Sequence, residues 1–133
     1  MTAFLSLPDA LLIQAMVIDR IGGIPGITEQ GFEKLDTALA APQQSMFGED
    51  LYPDLPSKAA ALFDALVMGH CFSDGNKRTA LLAMIEFLAR NGLRFAAPDD
   101  DALYDWVLQA AARATTREAQ AAWIAARCEA AHE

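Results

Sequence analysis

The stretch from His70 to Arg78 carries most of the chemistry visible in this sequence. It reads His-Cys-Phe-Ser-Asp-Gly-Asn-Lys-Arg, which places an imidazole, a carboxylate, an amide and two cations around a glycine. Apolar-periodic segments lie on both sides, so we expect a loop that joins two helices. A helix that begins at Asn76 would direct free N–H groups and its positive dipole end at a ligand over the loop. With Lys77 and Arg78 in its first turn, this end predicts a phosphate site, and His70 would be a general base beside it.

Each of these residues also has a simpler interpretation. A histidine at a helix C-terminus, such as His70, is favourable there as an imidazolium without any catalytic role. Asp74 would serve as the N-cap of the next helix, and Gly75 would be only a turn residue. Solvated surface charge would account for Lys77 and Arg78, but cations in the first turn oppose the helix dipole. A bound anion removes that conflict, so the phosphate hypothesis explains both cations.

Other kinds of site fit the sequence less well. The P-loop motif G-x-x-x-x-G-K-[ST] has four residues between its glycines, whereas five separate Gly69 from Gly75, and a P-loop also follows a strand. No nucleophile elbow supports a Ser/His/Asp triad. The two cysteines, Cys71 and Cys128, form no CxxC pattern, and His132 is the only histidine besides that of the loop. A zinc site is therefore not expected.

Composition indicates a folded globular protein. Of 133 residues, 53% are hydrophobic and 21% charged, which argues against disorder. The 10 basic and 18 acidic residues give a net charge of −8, so we expect no DNA binding by this chain alone. The N-terminus lacks a basic n-region and contains Pro8 and Asp9, unlike a signal peptide, and no apolar run approaches the ~18 residues of a membrane span. We expect a soluble, cytoplasmic protein without membrane association.

Helical periodicity predicts six helices, with the loop between the third and the fourth. The helices are predicted from about Pro8 to Arg20, from Thr28 to before Pro42, from Ser57 to near His70, from about Asn76 to Asn91-Gly92, from a cap at Asp99 to Asp101, and from a capping box at Thr115 to Glu118. The long connection 43–56 is uncommon in a compact domain and more often functional than not. The predicted fold is all-α, a single domain over residues 1–133 with the motif loop at 70–78.

The pattern also predicts which residues share a face of each helix. Leu12, Ala15 and Met16 lie on one side of the first helix, and Ile27 and Phe32 would form a hydrophobic staple at the second. The predicted apolar faces of the other four helices are Leu62, Phe63, Leu66 and Val67; Leu81, Met84, Ile85 and Leu88; Leu103, Trp106, Val107 and Ala110; and Ala119, Ala122, Trp123 and Ala126.

The motif loop resembles the motif of the Fic/Doc family, H-x-F-x-[DE]-G-N-x-R. It is most similar to the Doc (death-on-curing) toxin branch, in which lysine stands between the asparagine and the arginine. Every fixed position is filled, by His70, Phe72, Asp74, Gly75, Asn76 and Arg78, with Lys77 at the branch position. Similarity extends over roughly residues 20–95 and includes Arg20, Gly22-Gly23, Pro25-Gly26-Ile27, Ala38-Leu39, Pro42-Gln43, Phe47-Gly48, Tyr52-Pro53, Lys58-Ala59-Ala60 and Asn91-Gly92.

The resemblance implies a helical domain that binds ATP and Mg²⁺ at this loop. His70 would be the general base that deprotonates a target hydroxyl, and Asp74 would hold Mg²⁺ against the phosphates. The other phosphate contacts would come from the Gly75 backbone amide, the Asn76 side-chain amide, the Lys77 ammonium group and the Arg78 guanidinium group. Phe72 would anchor the loop in the core.

Lys77 determines the reaction class that the resemblance implies. Fic enzymes that transfer AMP usually have glycine there, whereas Doc-like proteins with lysine resemble a kinase that reverses the nucleotide and transfers its γ-phosphate. The implied target is a threonine or serine hydroxyl of a translation factor of the elongation factor Tu class. The implied partner is a small antitoxin whose C-terminal segment folds on binding. AMP transfer, or an inactive module that binds nucleotide or antitoxin, are the alternatives.

One position departs from the family pattern. The family usually has proline after the histidine, and this chain has Cys71. Proline would keep the preceding residue out of the helical region of the backbone, so cysteine loosens the constraint on His70. A thiol next to the general base also raises the hypothesis that activity is sensitive to oxidation.

Overall fold

The computed structural model describes residues 1–131 and consists of six helices with two short strand pairs. The helices are α1 (Leu7–Ile21), α2 (Gly31–Ala40), α3 (Leu55–Gly69), α4 (Asn76–Arg90), α5 (Asp100–Ala111) and α6 (Arg117–Ala125), with a 3-10 turn at Ala41–Gln43. The strands are β1 (Ser45–Met46), β2 (Glu49–Asp50), β3 (Leu93–Phe95) and β4 (Cys128–Ala130). This architecture confirms the predicted all-α class. Within residues 1–131, no helix combines the length and apolar character needed to cross a membrane.

Helix α3 forms the centre of the fold. Its predicted stripe, Leu62, Phe63, Leu66 and Val67, is buried, and α2, α4 and α6 pack around it. The helix begins at Leu55, two residues before the predicted start, because Asp54 is the N-cap and Ser57 completes a capping box as the third helical residue. Because α3 is buried on several sides and ends at the motif loop, the packing of this helix fixes where the loop begins.

The second helix begins later than the sequence predicted. Thr28 is not its N-cap, since Gln30 holds that position, and the Thr28 N–H donates instead to the Cys71 carbonyl oxygen at 3.0 Å. Residue Ile27 pairs with Phe72 in an isolated antiparallel bridge. The helix starts only at Gly31, and Phe32 is 53% exposed rather than part of a staple. A long-range pairing with the motif loop has therefore replaced the local capping that the sequence suggested.

The buried face of α1 also differs from the side marked by its large apolar residues. Leu12 and Met16 are 64% and 52% exposed. The inward face consists of Ala10, Gln14, Val17 and Ile18. The side of α1 that packs against α4 and α2 is therefore not the side that carries Leu12 and Met16.

The buried face of α6 also differs from the predicted one. The predicted face at Ala119, Ala122 and Ala126 is exposed, whereas Gln120 and Ile124 are buried. Thr116 caps the helix by accepting from the Ala119 N–H at 3.0 Å, one residue later than the capping box predicted. Alanine is apolar but small, so its periodicity is a weak guide to burial.

An aromatic stack attaches α5 and α6 to the centre of the fold. Phe63 of α3 stacks on Trp106 at a centroid distance of 4.6 Å, and Trp106 stacks on Trp123 at 4.2 Å. Phe95 of β3 packs tilted against Trp123 at a centroid distance of 5.8 Å. Asp99 is the N-cap of α5, as predicted from the three candidate aspartates. This stack fixes the position of α5 relative to α3, and thereby beside the start of α4.

The long connection before α3 contains a small hairpin. Strands β1 and β2 pair antiparallel, and the turn residues Phe47 and Gly48 both have positive φ angles, 53° and 81°. Consecutive positive φ angles are the conformation of tight hairpin turns, for which glycine is well suited. Lys58, itself buried, binds Asp50 at 3.2 Å and the Tyr52 carbonyl oxygen, and thereby ties the hairpin to α3.

Candidate functional site

His70 lies at the point where α3 ends and the chain reverses direction. It is the C-cap residue, with a left-handed backbone (φ 47°, ψ 48°), and its side chain is exposed. Cys71 follows and is completely buried. A proline at position 71 would disfavour helical backbone angles at the preceding residue, so cysteine is compatible with the conformation observed here. The sharp turn presents the imidazole to solvent while the next residue is fixed in the core.

The motif loop is paired with the segment that precedes α2. Thr28 donates its N–H to the Cys71 carbonyl, and Ser73 donates its N–H to the Gly26 carbonyl, each at 3.0 Å. Phe72 lies between these bonds and is 2% exposed, in the position expected of an anchor. The loop is therefore held by backbone hydrogen bonds on one side and by apolar packing on the other.

Asn76 closes the motif loop on itself. Its Oδ1 accepts from the Phe72 N–H and its Nδ2 donates to the Phe72 carbonyl oxygen, both at 3.0 Å. Reciprocal bonds of this kind fix the side-chain rotamer and the turn together. Because an amide nitrogen carries two hydrogens, one N–H remains for a ligand.

Gly75 permits the abrupt start of α4. It is the N-cap residue with φ 73°, and a Cβ placed there would lie 3.1 Å from Val17 Cγ1. Within the described residues, no side chain caps this end of the helix. The Thr79 N–H is the first that bonds within the helix, to the Gly75 carbonyl at 2.9 Å, so the N–H groups of residues 76–78 remain at the terminus. A helix N-terminus with free N–H groups is suited to bind an anion.

Lys77 and Arg78 are exposed at this positive end of the helix dipole. Neither forms an ion pair with any residue in the range 1–131, although the chain as a whole carries 18 acidic residues. Cations placed here are unfavourable without an anion. The arrangement therefore fits a phosphate-bearing ligand.

Asp74 does not cap the helix, so the N-cap interpretation of this residue is wrong. Its Oδ2 accepts from the Ile24 N–H at 2.7 Å, and its Oδ1 has no hydrogen-bond partner among residues 1–131. Mg²⁺ often takes one carboxylate from the protein and completes its shell with substrate phosphates and water. Among residues 1–131, no three His, Cys, Asp or Glu side chains lie close enough together to hold a metal ion, and His132 lies outside this range.

Gln14 supports the site and was missed by the sequence analysis. It is 1% exposed, and its Nε2 donates to the Asp74 carbonyl at 3.2 Å and the Ile24 carbonyl at 3.3 Å. Its Oε1 accepts from the Gly26 N–H at 3.0 Å. One side chain of α1 thus joins the glycine-rich loop to the motif loop. The available signal was a polar residue at helical spacing from Ala10 and Val17, on the inward face.

Gly31 is the second supporting residue that the sequence did not reveal. A Cβ at this position would lie 2.0 Å from the Cys71 carbonyl oxygen, a distance that real atoms do not adopt. The first residue of α2 must therefore be glycine for the motif loop to pack where it does. Its φ angle is not positive, so a turn-based search for special glycines would not find it.

A cleft of about 530 Å³ with a mixed polar and apolar lining lies beside the C-terminal end of α3. Gly69, adjacent to His70, contributes to its wall, together with Lys34 of α2 and Tyr52 after the hairpin. Arg117 of α6 also lines it and binds Asp64 of α3 at 3.0 Å. The cleft is thus continuous with the histidine end of the motif loop and fixed on its far side by an ion pair.

The Cys71 thiol lacks the properties of a redox-active cysteine. Burial raises the pKa of this thiol above its ordinary value, and the side chain is inaccessible to solvent. Reactive cysteines have a lowered pKa and partial exposure. These properties argue against the hypothesis that oxidation of Cys71 controls activity.

The comparisons with known proteins agree with this geometry. The family model described as Fic/DOC matches residues 4–88, which contain the first three helices, the whole motif loop and all but the last two residues of α4. Toxin Doc of Mycolicibacterium smegmatis is 41% identical over 100 residues, covering 75% of this chain and 73% of that protein. Protein kinase doc of Escherichia phage P1 is 36% identical over 83 residues, covering 62% of this chain and 64% of that protein.

Proposed function

This chain belongs to the Fic/DOC family, and on that basis we propose that it is the toxin of a toxin–antitoxin pair. Its proposed activity is transfer of the γ-phosphate of ATP to a threonine or serine hydroxyl of a translation factor of the elongation factor Tu class, which arrests translation. The observation that carries this proposal is the start of α4, which no side chain of residues 1–131 caps and where Lys77 and Arg78, without an ion pair in that range, adjoin the loop of His70.

In the proposed reaction the target hydroxyl oxygen attacks the γ-phosphorus. A new oxygen–phosphorus bond forms as the bond to the β,γ-bridging oxygen breaks, and ADP is the leaving group. His70 accepts the hydroxyl proton, while Lys77, Arg78 and the helix N-terminus stabilise the charge on the phosphates. Phosphoryl transfer depends mainly on positioning and charge stabilisation, which a preorganised loop of this kind supplies.

Asp74 is the residue that we propose to hold Mg²⁺. Its Oδ2 is fixed by the Ile24 N–H at 2.7 Å, and this bond orients the other carboxylate oxygen. When bound, the ion neutralises phosphate charge. A single carboxylate with phosphate ligands suits Mg²⁺ better than the closed cage of side chains that a structural metal requires.

Lys77 supports γ-phosphate transfer over AMP transfer. A lysine side chain is larger than the glycine that AMP-transferring Fic enzymes usually have there, and the relative named Protein kinase doc is consistent with this choice. AMP transfer to a protein hydroxyl remains the second candidate, since both reactions use the same base and the same phosphate contacts.

We propose that the target segment docks along the connection 43–56 and the cleft beside His70. Phe47 at the tip of the hairpin is 99% exposed and Met46 is 58% exposed, so the segment offers apolar contacts to a protein surface. The cleft of about 530 Å³ would receive the side chains next to the acceptor hydroxyl. A complex in which the target contacts neither feature would contradict this assignment.

The proposed antitoxin is a small protein whose C-terminal segment folds on binding to this chain. Support comes from the relative named Toxin Doc and from the exposed side chains of Leu12 and Met16 on one side of α1. These residues are four positions apart, the spacing that a partner helix contacts.

The decisive experiment is a transfer assay in a bacterial translation extract, run in parallel with ATP labelled at the α- and the γ-phosphate. Label from γ-ATP alone on a band the size of an elongation factor would support the kinase proposal. Label from α-ATP would favour AMP transfer, and no label in an extract that contains the purified translation factor would indicate a binding module.

The matched control is His70→Ala. His70 is exposed at the end of α3, so the variant should fold normally and still bind ATP. We expect transfer to fall by about 10²- to 10⁴-fold, the usual contribution of a general base. Leaky expression of the wild-type chain should arrest growth, and the variant should relieve that arrest. Equal toxicity of both forms would contradict the role of His70.

A further inference from the structure

Two cations line the cleft beside the C-terminal end of α3, and neither takes part in the phosphate chemistry proposed above. They are Lys34 of α2 and Arg117 of α6, and we call this feature the α2–α6 cleft. Gly69 belongs to its wall, so the cleft reaches the residue directly before His70. A protein segment that brings its hydroxyl to His70 therefore passes close to both cations.

Lys34 is available to a ligand and is carried by a helix that is fixed against the motif loop. It is exposed and forms no ion pair among residues 1–131. Its charge acts on the loop itself: burial raises the pKa of the Cys71 thiol, and the Lys34 ammonium group opposes that rise. Gly31 packs against the Cys71 carbonyl oxygen, and thereby holds the backbone of Lys34 near the turn that presents His70.

Arg117 is oriented towards the same cleft by residues of two other segments. Asp64 of α3, which is 6% exposed, accepts from Arg117 Nη2 at 3.0 Å. Arg117 Nη1 donates to the Tyr52 hydroxyl, and the guanidinium carbon lies 5.5 Å from the centre of the Tyr52 ring. These two bonds use two of the five guanidinium N–H donors. Because the side chain is 42% exposed, the remaining donors are accessible to a carboxylate.

The α2–α6 cleft is more positive than the chain as a whole. Among residues 1–131, its lining contains Lys34 and Arg117 against the single carboxylate of Glu33, whereas the whole chain has 10 basic and 18 acidic residues. Asp64 lies behind the lining and is met by both Arg113 and Arg117. An acidic side chain that enters the cleft is therefore attracted, and a basic one is repelled.

We propose that the α2–α6 cleft binds an acidic side chain of the protein target, within the segment that carries the acceptor hydroxyl. Lys34 and Arg117 bind the carboxylate, and Asp64 and Tyr52 are positioning residues that orient Arg117. This inference rests on the proposed function, because it presupposes transfer to a protein hydroxyl. It adds a substrate class: a hydroxyl with an aspartate or glutamate nearby.

A carboxylate of the target fits this cleft better than the phosphates of the nucleotide do. The phosphates have their own cations, Lys77 and Arg78, which lie after the motif loop at the start of α4 and are not part of the cleft lining. The cleft instead adjoins the connection 43–56, because Gln44 and Tyr52 belong to its lining. That connection is the segment proposed above to contact the target.

The test is steady-state kinetics of the full chain with ATP, Mg²⁺ and the purified translation factor as acceptor. Lys34→Gln should raise the KM for the acceptor about fivefold, as for loss of a partly exposed ion pair, with kcat and ATP affinity unchanged. Lys34→Glu should raise it about tenfold, because a repulsion replaces the attraction. Lys34→Arg should retain the wild-type KM, and the effect of Lys34→Gln should shrink as ionic strength rises.

The matched control is Arg94→Gln, which removes an exposed cation from β3, outside the cleft. It should leave the KM for the acceptor unchanged, and an equal rise would assign the effect to net charge and overturn the proposal. Lys34 carries the test rather than Arg117, because loss of Arg117 would also leave the buried Asp64 with Arg113 as its remaining ion-pair partner among residues 1–131. Thermal unfolding of each variant confirms that the fold is retained.

A reciprocal exchange of charge tests for direct contact. Mass spectrometry locates the modified hydroxyl of the acceptor, and each acidic residue near it is replaced by lysine. One of these replacements should raise the KM with the wild-type chain and lower it again with Lys34→Glu. Coupling of this sign indicates that the two side chains meet in the complex.

The outcomes distinguish this proposal from the function on which it rests. If the wild-type chain modifies no protein hydroxyl, the proposed function fails and the acidic subsite fails with it. If the wild-type chain modifies the factor but Lys34→Glu retains its KM, or if no acceptor variant is rescued by Lys34→Glu, the subsite is refuted while the proposed function stands. Weaker ATP binding by Lys34→Gln would assign the cleft to the nucleotide and also overturn the proposal.

Discussion

The two connections that flank α3 are held in different ways. The motif loop after α3 has two residues with almost no exposure, Cys71 and Phe72, and receives hydrogen bonds from Gln14 and Thr28. In the connection before α3, by contrast, every residue from 43 to 51 is exposed. One buried side chain, Lys58, ties that segment to the helix through Asp50 and the Tyr52 carbonyl.

This difference corresponds to a division of tasks in the proposed function. Phosphate groups are the same in every reaction cycle, so a loop that binds them gains from being fixed beforehand. A segment that meets a protein surface needs exposed side chains and tolerance of local adjustment, and exposed backbone hydrogen bonds with few buried contacts provide both. The chain places the rigid connection after α3 and the adaptable one before it.

Matched glycine substitutions should give the largest contrast. Gly31→Ala places a methyl group against the Cys71 carbonyl oxygen and should lower the free energy of unfolding by about 3 kcal/mol. Gly48→Ala in the hairpin meets open space, and only its positive φ angle opposes it, so we expect about 1 kcal/mol. Urea denaturation of both variants measures the difference. Equal losses would mean that the motif loop is not held more tightly than the hairpin.

A second pair of variants removes the tie of each connection. Gln14→Leu leaves the Asp74 and Ile24 carbonyls and the Gly26 N–H without their partner, and should cost about 2 kcal/mol of stability. Lys58→Met keeps the buried aliphatic stem and should cost about 1 kcal/mol.

The activities of this pair should also diverge. Gln14→Leu should weaken Mg²⁺-dependent ATP binding because the backbone that orients Asp74 is released. Lys58→Met should leave ATP binding intact and raise the KM for the protein target. Calorimetry with ATP and steady-state kinetics with the target distinguish the two. Loss of ATP binding in Lys58→Met would contradict the division of tasks.

The exposed hairpin tip allows a test of target contact with little effect on folding. Phe47→Ala removes a side chain that is 99% exposed, so the free energy of unfolding should change by less than about 0.5 kcal/mol. We expect kcat/KM for the protein target to fall about tenfold, equivalent to about 1.4 kcal/mol of binding, with ATP affinity unchanged. An unaltered kcat/KM would remove the hairpin from the target site.

The smallest expected effect concerns the ion pair that joins α1 to α4. Arg90 binds Asp9 at 2.8 Å and 3.2 Å, and this hydrogen-bonded contact lowers the pKa of Asp9 from 3.8 to about 2. The pair therefore stabilises the fold above pH 3.8, and its contribution is lost as the pH falls through about 2.

Arg90→Gln tests this contribution. The variant should lose about 0.5–1 kcal/mol at neutral pH, as for a partly exposed pair, and its stability should converge with that of the wild type below pH 2. An NMR titration should show the Asp9 pKa returning towards its ordinary value. A constant difference in stability across the acid range would show that packing of the Arg90 side chain, rather than charge, is responsible.

Sequence reasoning succeeded where a local pattern has one structural solution. The stripe of α3 and the aspartate cap of α5 follow from periodicity and from backbone hydrogen bonding at helix ends, and both are confirmed. It failed where several apolar faces compete, as in α1, where Leu12 and Met16 lie outside, and in the alanine-rich α6. Local sequence contains no information on which face a neighbouring helix will cover.

The sequence by itself determined the family, the six-helix class and the cluster of His70, Asp74, Lys77 and Arg78 within one loop, because nine consecutive residues cannot separate in space. Only the tertiary structure decided that Gln14 and Gly31 support that loop, that Asp74 accepts from Ile24 rather than capping α4, and that α5 lies across a groove from Lys77 and Arg78. These depend on contacts between residues distant in the chain, where burial and backbone hydrogen bonding override local preference.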